Sequence, residues 1–210
     1  MTGGGKGDLP AAFVCTHVQT VSDQLFDLPP TAPAGFAYRA EMIAPAEERD
    51  LAARLAELPF EPFLFRGFEG RRRVVSFGMK YDFTGPGLVS AEPIPDWLLP
   101  VRERVAAFAG APAQSFSQLL INEYREGAPL GWHRDRPVFD KIVGVSLLAP
   151  TVMRFRRRVG ERFERINTPL APRSAYLLDG PARVDWEHSL PEAKAHRFSL
   201  TFRNLRRQDR

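Results

Sequence analysis

The chain has one cysteine, Cys15, among its 210 residues. That excludes an internal disulfide and a cysteine-built zinc site, and leads to the expectation of a reducing compartment. Long hydrophobic runs are also missing: the best apolar stretch, Ile142 to Val152, is too short to span a bilayer and contains Ser146 and Pro150. Met1 to Pro10 is glycine-rich without an apolar centre and does not read as a secretion signal. Gly3-Gly4-Gly5-Lys6-Gly7 lacks the preceding strand and the following Gly-Lys-Ser/Thr of a phosphate loop. No internal repeat is visible. Together these absences lead to the expectation of a cytoplasmic monomer without membrane partners.

What is present is ordinary in bulk and uneven in detail. Hydrophobic residues make up 44% and charged residues 26%, a globular composition that argues against disorder throughout. Lys and Arg number 29 against 25 acids, a formal charge of +4. The arginines cluster at Arg71 to Arg73, at Arg154 and Arg156 to Arg158, and at Arg206, Arg207 and Arg210. Such patches attract polyphosphate, although a solvated arginine-rich surface explains them equally well.

Residues 1–35 carry two glycine runs and Pro10, Pro29, Pro30 and Pro33, so a flexible, extended segment is expected there, followed by one domain over residues 36–210. Leu51, Leu55 and Leu58 recur at helical spacing and predict a helix over Pro45 to Leu58, with Glu47 and Glu48 in its first turn. Trp97, Val101, Val105 and Phe108 predict a second helix from about Pro95 to Ala109. From Phe116 the period becomes two. Strands are expected at Phe116 to Tyr124, Lys141 to Leu148, Val152 to Arg158, Arg162 to Asn167, Ser174 to Leu178, Arg183 to Glu187 and Arg197 to Arg203. The fold class expected is mainly β with flanking helices: a double-stranded β-helix (jelly-roll) core buttressed by N-terminal α-helices.

The chemistry concentrates in His133-x-Asp135, in His188, which follows 53 residues after the aspartate, and in Arg197 and Arg203. Two imidazoles and a carboxylate on one face of a metal, with other positions open, form the ligand set of non-haem Fe(II) oxygenases. In extended backbone His133 and Asp135 leave the same face, roughly 6–7 Å apart at Cα. Alone, His-x-Asp reads as readily as a turn with a surface aspartate. Of the other histidines, His17 lies in the loose head and His196 should point away from its neighbour Arg197. In the final strand, alternation separates Phe198, Leu200 and Phe202 from Arg197, Ser199, Thr201 and Arg203. The second set is a row of donors suited to a small dianion, or the solvated side of an edge strand. Asn122 and Tyr124 would add an amide and a phenol to the same wall.

These residues resemble the AlkB-like Fe(II)/2-oxoglutarate dioxygenases. The matching pieces, in the family's order, are Asn122-x-Tyr124-x-x-Gly127, Trp132-His133-x-Asp135, Val145-Ser146-Leu147, Trp186-x-His188 and the Arg197 to Arg203 strand. The resemblance implies Fe(II) on His133, Asp135 and His188, with O2 as oxidant. It implies 2-oxoglutarate on Asn122, Tyr124, Arg197, Ser199 and Arg203, where Arg197 pairs the distal carboxylate. It further implies a lid over Arg71 to Phe83, with Arg73, Phe77 and Tyr81 near the substrate together with Trp132, Arg134 and Arg136. Phe77, Tyr81 and Phe83 alternating into the core is the competing reading of that segment. The chain departs from many repair members at Pro137, where they have an acid, and at Ser199, where they often have asparagine.

The function expected from the resemblance is oxidative demethylation, that is dealkylation repair, of N-alkylated bases in DNA or RNA, with nucleic acid as partner and formaldehyde, succinate and CO2 as products. That reading predicts that Arg71 to Arg73 and Arg154 to Arg158 line one face with the iron mouth. A hydroxylase or demethylase of a protein or small molecule is one alternative, and a non-enzymatic jelly-roll binding module is the other.

Overall fold

The computed structural model of the chain describes residues 1–2, 32–65, 68–82 and 87–206. The expected flexible head lies almost wholly outside the described residues, as do Phe83, Arg207 and Arg210. In order, the elements are β1 (Phe36–Arg39), α1 (Pro45–Ala56), β2 (Glu61–Phe65), β3 (Phe68–Phe77), β4 (Met79–Asp82), β5 (Gly87–Ser90), α2 (Leu99–Ala109), β6 (Gln118–Tyr124), β7 (Leu130–His133), β8 (Phe139–Leu148), β9 (Thr151–Val159), β10 (Arg162–Leu170), β11 (Ala175–Leu178), α3 (Gly180–Val184), β12 (Glu187–Leu190) and β13 (Arg197–Leu205). No described helix is long and apolar enough to cross a membrane.

Seven strands form the major sheet in the order β1-β11-β8-β13-β6-β3-β2, and four form the minor sheet in the order β10-β9-β12-β7. Strands β4 and β5 make a separate hairpin. The major sheet is buried on both faces. Leu51 and Leu55 of α1, and Val101 and Val105 of α2, pack with Val143, Val145, Phe198, Leu200 and Phe202 on one side. On the other, Tyr124, Ile142 and Tyr176 meet Met153, Phe155 and Ile166 of the minor sheet. This is the expected jelly-roll with helices on its outer face.

The two helices match their periodicities, with shorter ends. Helix α1 stops at Ala56 because Pro59 disfavours helical backbone at Leu58, which still packs on the core. A single 3-10 turn, Asp96–Leu98, precedes α2, and Gly110 closes it at φ 61. The strand expected over Arg183 to Glu187 is a correction. Gly180 (φ 47) and Pro181 turn the chain into α3, where Asp179 accepts a hydrogen bond from the Gly180 amide, and β12 begins only at Glu187. His188 therefore sits inside a strand.

A sharp bend at Gly78 separates β3 from β4. Its φ is +72°, and an added Cβ would lie 2.0 Å from the Ser117 carbonyl oxygen. Gly78→Ala is expected to cost about 1–3 kcal/mol. The check is urea unfolding, where a midpoint equal to wild type would refute the constraint.

Candidate active site

Strands β7 and β12 pair antiparallel with His133 directly opposite His188, which brings the two rings to a centroid distance of 4.3 Å. Asp135 follows two residues beyond the end of β7, and its Oδ2 lies 3.5 Å from His188 Nε2. One ligand atom from each residue lies within 4.8 Å of the others. The long gap in sequence is thus closed by a cross-strand pair. Asp135 Oδ1 accepts from Arg203 Nε at 3.0 Å and Nη2 at 2.8 Å, which leaves Oδ2 facing the imidazoles. Gln118 accepts from Arg203 Nη1 at 2.9 Å and fixes the guanidinium plane. His133 Nδ1 donates to the Gly131 carbonyl at 2.9 Å, so Nε2 is its ligand atom.

The local electrostatics suit a divalent cation. Burial pushes His188 down to about 3, His133 pushes in the same direction, and the Asp135 charge opposes both. Burial lowers His133 also. Burial alone would raise Asp135, but Arg203, then His188 and His133, overcome it and hold the carboxyl well below the usual range. Near neutral pH the three groups are therefore two neutral imidazoles and one carboxylate, the forms that ligate metal.

At the other end of the same strand face lies Arg197, 2% exposed. Its Nε and Nη2 donate to Ser146 Oγ at 3.2 and 3.1 Å, and its guanidinium stands 5.1 Å from the Tyr124 ring centre. Its Nη1 is buried with no partner, and so is Asn122 Oδ1. A buried, partly unsatisfied guanidinium is costly. A carboxylate would satisfy it bidentately, so the residues present fit a small dianion between Arg197 and the triad. Asn122, Tyr124, Ser199, Thr201, Arg203, His133, Asp135 and His188 share one cavity of about 1660 Å³.

Most of the residues expected near the substrate line that cavity. Tyr81, Trp132, Arg134 and Arg136 do so, with Arg136 standing 4.6 Å over the Tyr81 ring. Arg73 and Phe77 are corrections. On β3, Val74 pairs with Asn122 of β6 and Arg73 with Glu123, so Arg72, Val74 and Ser76 face the cavity while Arg73 and Phe77 face the helices. Phe77 is 8% exposed in the helix-side core. Arg73 Nε donates to Glu123 at 2.5 Å, and His196 bonds the same carboxylate at 3.1 Å, pointing away from Arg197 as its position requires. A one-residue choice within Arg71-Arg72-Arg73 exchanges the two faces. Arg72 and Tyr176 are among the cavity residues missed. Period two within the arginine run was a signal for the first. Tyr176 lies across β8 on Gly144, where an added Cβ would meet its ring at 2.2 Å, and the sequence alone gives no sign of that pairing. Arg154, Arg156 and Arg158 do not join Arg71 and Arg72 at the cavity. They share a face with Glu187 and Ser189, opposite to inward Phe155 and His188.

The family described as the 2OG-Fe(II) oxygenase superfamily matches residues 61–203. The chain is 28% identical over 172 residues to the Arabidopsis thaliana "Alkylated DNA repair protein ALKBH8 homolog", covering 65% of this chain and 50% of that protein. It is 34% identical over 143 residues to the Homo sapiens "DNA oxidative demethylase ALKBH2", covering 61% and 53% respectively. The chain thus spans about half the length of these curated relatives. The structure of OsALKBH1 superposes with a TM-score of 0.63 at 17% identity, covering 81% of this chain and 98% of that one, a likeness of fold.

The corrected role of Arg73 is measurable. Burial raises the Glu123 carboxyl, but the bonds from Arg73 and His196 overcome this and lower it from its ordinary 4.5. Its stabilising contribution is therefore present above that value and lost as pH falls through the lower, folded value. Arg73→Ala is expected to cost about 2 kcal/mol at pH 7, with the penalty shrinking below pH of about 4. Denaturant titrations at the two pH values test this, and a pH-independent penalty would rule out Glu123 as the partner.

Proposed function

The chain belongs to the 2OG-Fe(II) oxygenase superfamily and is AlkB-like within it, and on that premise we propose that it demethylates N-alkylated bases in DNA or RNA. One observation supports the reading most. The deprotonated His133-Asp135-His188 triad lines a cavity whose rim carries Lys80, Tyr81, Trp132, Arg134 and Arg136, and the unsatisfied Arg197 guanidinium lies behind its wall, 5.1 Å from the ring centre of cavity-lining Tyr124. A nucleotide, with an aromatic base and an anionic phosphate, held at a basic and aromatic mouth fits that lining.

In this reading His133 Nε2, Asp135 Oδ2 and His188 hold Fe(II). Arg197 pairs the distal carboxylate of 2-oxoglutarate beside Tyr124, Asn122 and Ser199. Bound there, Fe(II) with 2-oxoglutarate and O2 would supply hydroxylation of the methyl C–H, with succinate and CO2 as coproducts and formaldehyde released from the hydroxymethylated base. The chain's own share is positional. Arg203 keeps Asp135 ionised and turned so that Oδ2 faces the imidazoles. Gly131 sets the His133 tautomer. Tyr81 and Trp132 offer ring faces to a base, while Arg134 and Arg136 offer charge to its phosphates. Pro137 leaves the base edge without the acid that repair relatives often place there, which argues for a base or alkyl group recognised by another contact.

Succinate and formaldehyde release, measured with Fe(II), ascorbate and 2-oxoglutarate and with or without a methylated single-stranded oligonucleotide, decides the reading. Succinate that rises with the oligonucleotide and matches formaldehyde is expected. Slow succinate that ignores it would point to a protein or small-molecule substrate. Both His133→Ala and Asp135→Ala should abolish turnover with the fold intact by circular dichroism. Arg197→Ala should raise the KM for 2-oxoglutarate about 100-fold, the worth of a charge-assisted bidentate contact, and an unchanged KM would remove Arg197 from that role.

A further inference from the structure

The outward face of the minor sheet carries a second basic and aromatic surface that the cavity does not use. Strand registry places Arg154, Arg156 and Arg158 of β9 on the same face as Phe163, Arg165 and Asn167 of β10, and Glu187 and Ser189 of β12. Trp132 of β7 joins them, because its neighbour His133 pairs with inward-facing His188. Four arginines therefore face a single acid. The cations and rings alternate across the sheet. Arg154 stands 5.4 Å and Arg156 4.5 Å from the Trp132 ring centre, Arg156 lies 4.9 Å from Phe163, and Arg165 follows at 5.5 Å on Phe163.

This surface is built as well as charged. Between β9 and β7, β12 presents Ser189 and Glu187 on this face, and Arg154 and Arg156 reach across it to Trp132. Ser189 Oγ accepts from Arg154 Nε at 3.0 Å and Glu187 accepts from Arg156 Nε at 2.6 Å, so each side chain is held by one nitrogen while its terminal nitrogens remain for another anion. Arg154, Arg158 and Arg165 have no carboxylate within 4.0 Å among the described residues. Phe163 is 38% exposed, too much for a core side chain. Four strands at about 4.8 Å spacing cover roughly 14 Å, the reach of two or three nucleotides. The row ends at Trp132, which also lines the cavity mouth.

We propose that this arginine–aromatic row is an accessory binding track for a single nucleic-acid strand, which it delivers past Trp132 to the cavity. Phosphates meet the guanidinium groups, and bases stack on Phe163 and on the guanidinium planes, contacts that DNA and RNA strands share. A duplex fits poorly, because its bases cannot reach flat rings. The inference rests on the nucleic-acid reading of the cavity, yet it fails separately from it.

The test is fluorescence anisotropy with unmodified 15-nucleotide DNA and RNA strands across a salt series, on wild type, Arg154→Gln/Arg165→Gln, Phe163→Ala, and a charge-matched control, Arg39→Gln/Arg49→Gln, on exposed residues elsewhere. The track predicts that the ladder double variant loses at least tenfold in affinity at 0.1 M salt and flattens the salt slope by about 1.4. Phe163→Ala should weaken binding about tenfold without changing the slope, and the control should match wild type. In parallel, formaldehyde release from a methylated trinucleotide, too short to fill the cavity and the row together, should be equal in all four proteins. Equal loss in ladder and control variants would overturn the track in favour of diffuse charge. Wild-type binding with no effect of the ladder variant would also overturn it. Absence of binding by wild type would overturn it too, and the trinucleotide assay would then say whether the demethylase reading survives alone.

Discussion

A carboxylate buried where the two sheets meet, Asp135, stays ionised chiefly because Arg203 reaches it from the middle of the major sheet. That one pair couples the sheets. Arg203 comes from β13, between β8 and β6, whereas the partners Asp135 must meet, His133 and His188, stand on the paired minor-sheet strands β7 and β12. A buried ion pair is weak as a source of stability, because desolvating two charges offsets their attraction. Its value here is directional. With Oδ1 occupied by the guanidinium, the carboxylate has one oxygen left to present, and the imidazoles it faces are neutral at physiological pH.

The position of β13 explains why arginines are tolerated inside. Phe198, Leu200 and Phe202 fill the core beneath the helices, and Arg197, Ser199, Thr201 and Arg203 fill the space between the sheets. Arg203 is met at all three nitrogens by Asp135 and Gln118, whereas Arg197 is held at two by the single hydroxyl of Ser146 and keeps Nη1 unpaired. The remainder is an unsatisfied donor held ready for an anion, a cost of folding that binding recovers. Polar strain at the site and apolar packing at the helices are thus two faces of one strand.

The minor sheet repeats the division with opposite consequences. Its inward face gives His133 and His188 to the cavity and Phe155 to the core, while its outward face carries Trp132, Arg154, Arg156 and Phe163. Adjacent residues on β7, Trp132 and His133, serve the two faces.

What the sequence determined by itself was whatever period and local chemistry encode. Alternation in the last strand sorted its phenylalanines from its arginines, leucine spacing marked α1, and the His-x-Asp pair with one well-placed later histidine named the triad. The corrections at the site share a physical cause: each depended on a partner strand distant in sequence. Which of Arg72 and Arg73 faces the cavity follows from the register of β3 on β6, since a shift of one residue exchanges the faces. That Arg154, Arg156 and Arg158 turn away from the mouth follows from Phe155 of β9 sharing the inward face with His188. The Tyr176 ring on Gly144 and the meeting of Arg203 with Asp135 are likewise products of pairing and sheet packing. Tertiary structure decided these because side-chain direction in a strand is local, whereas what that direction meets is set by the neighbour across the ladder and the sheet opposite.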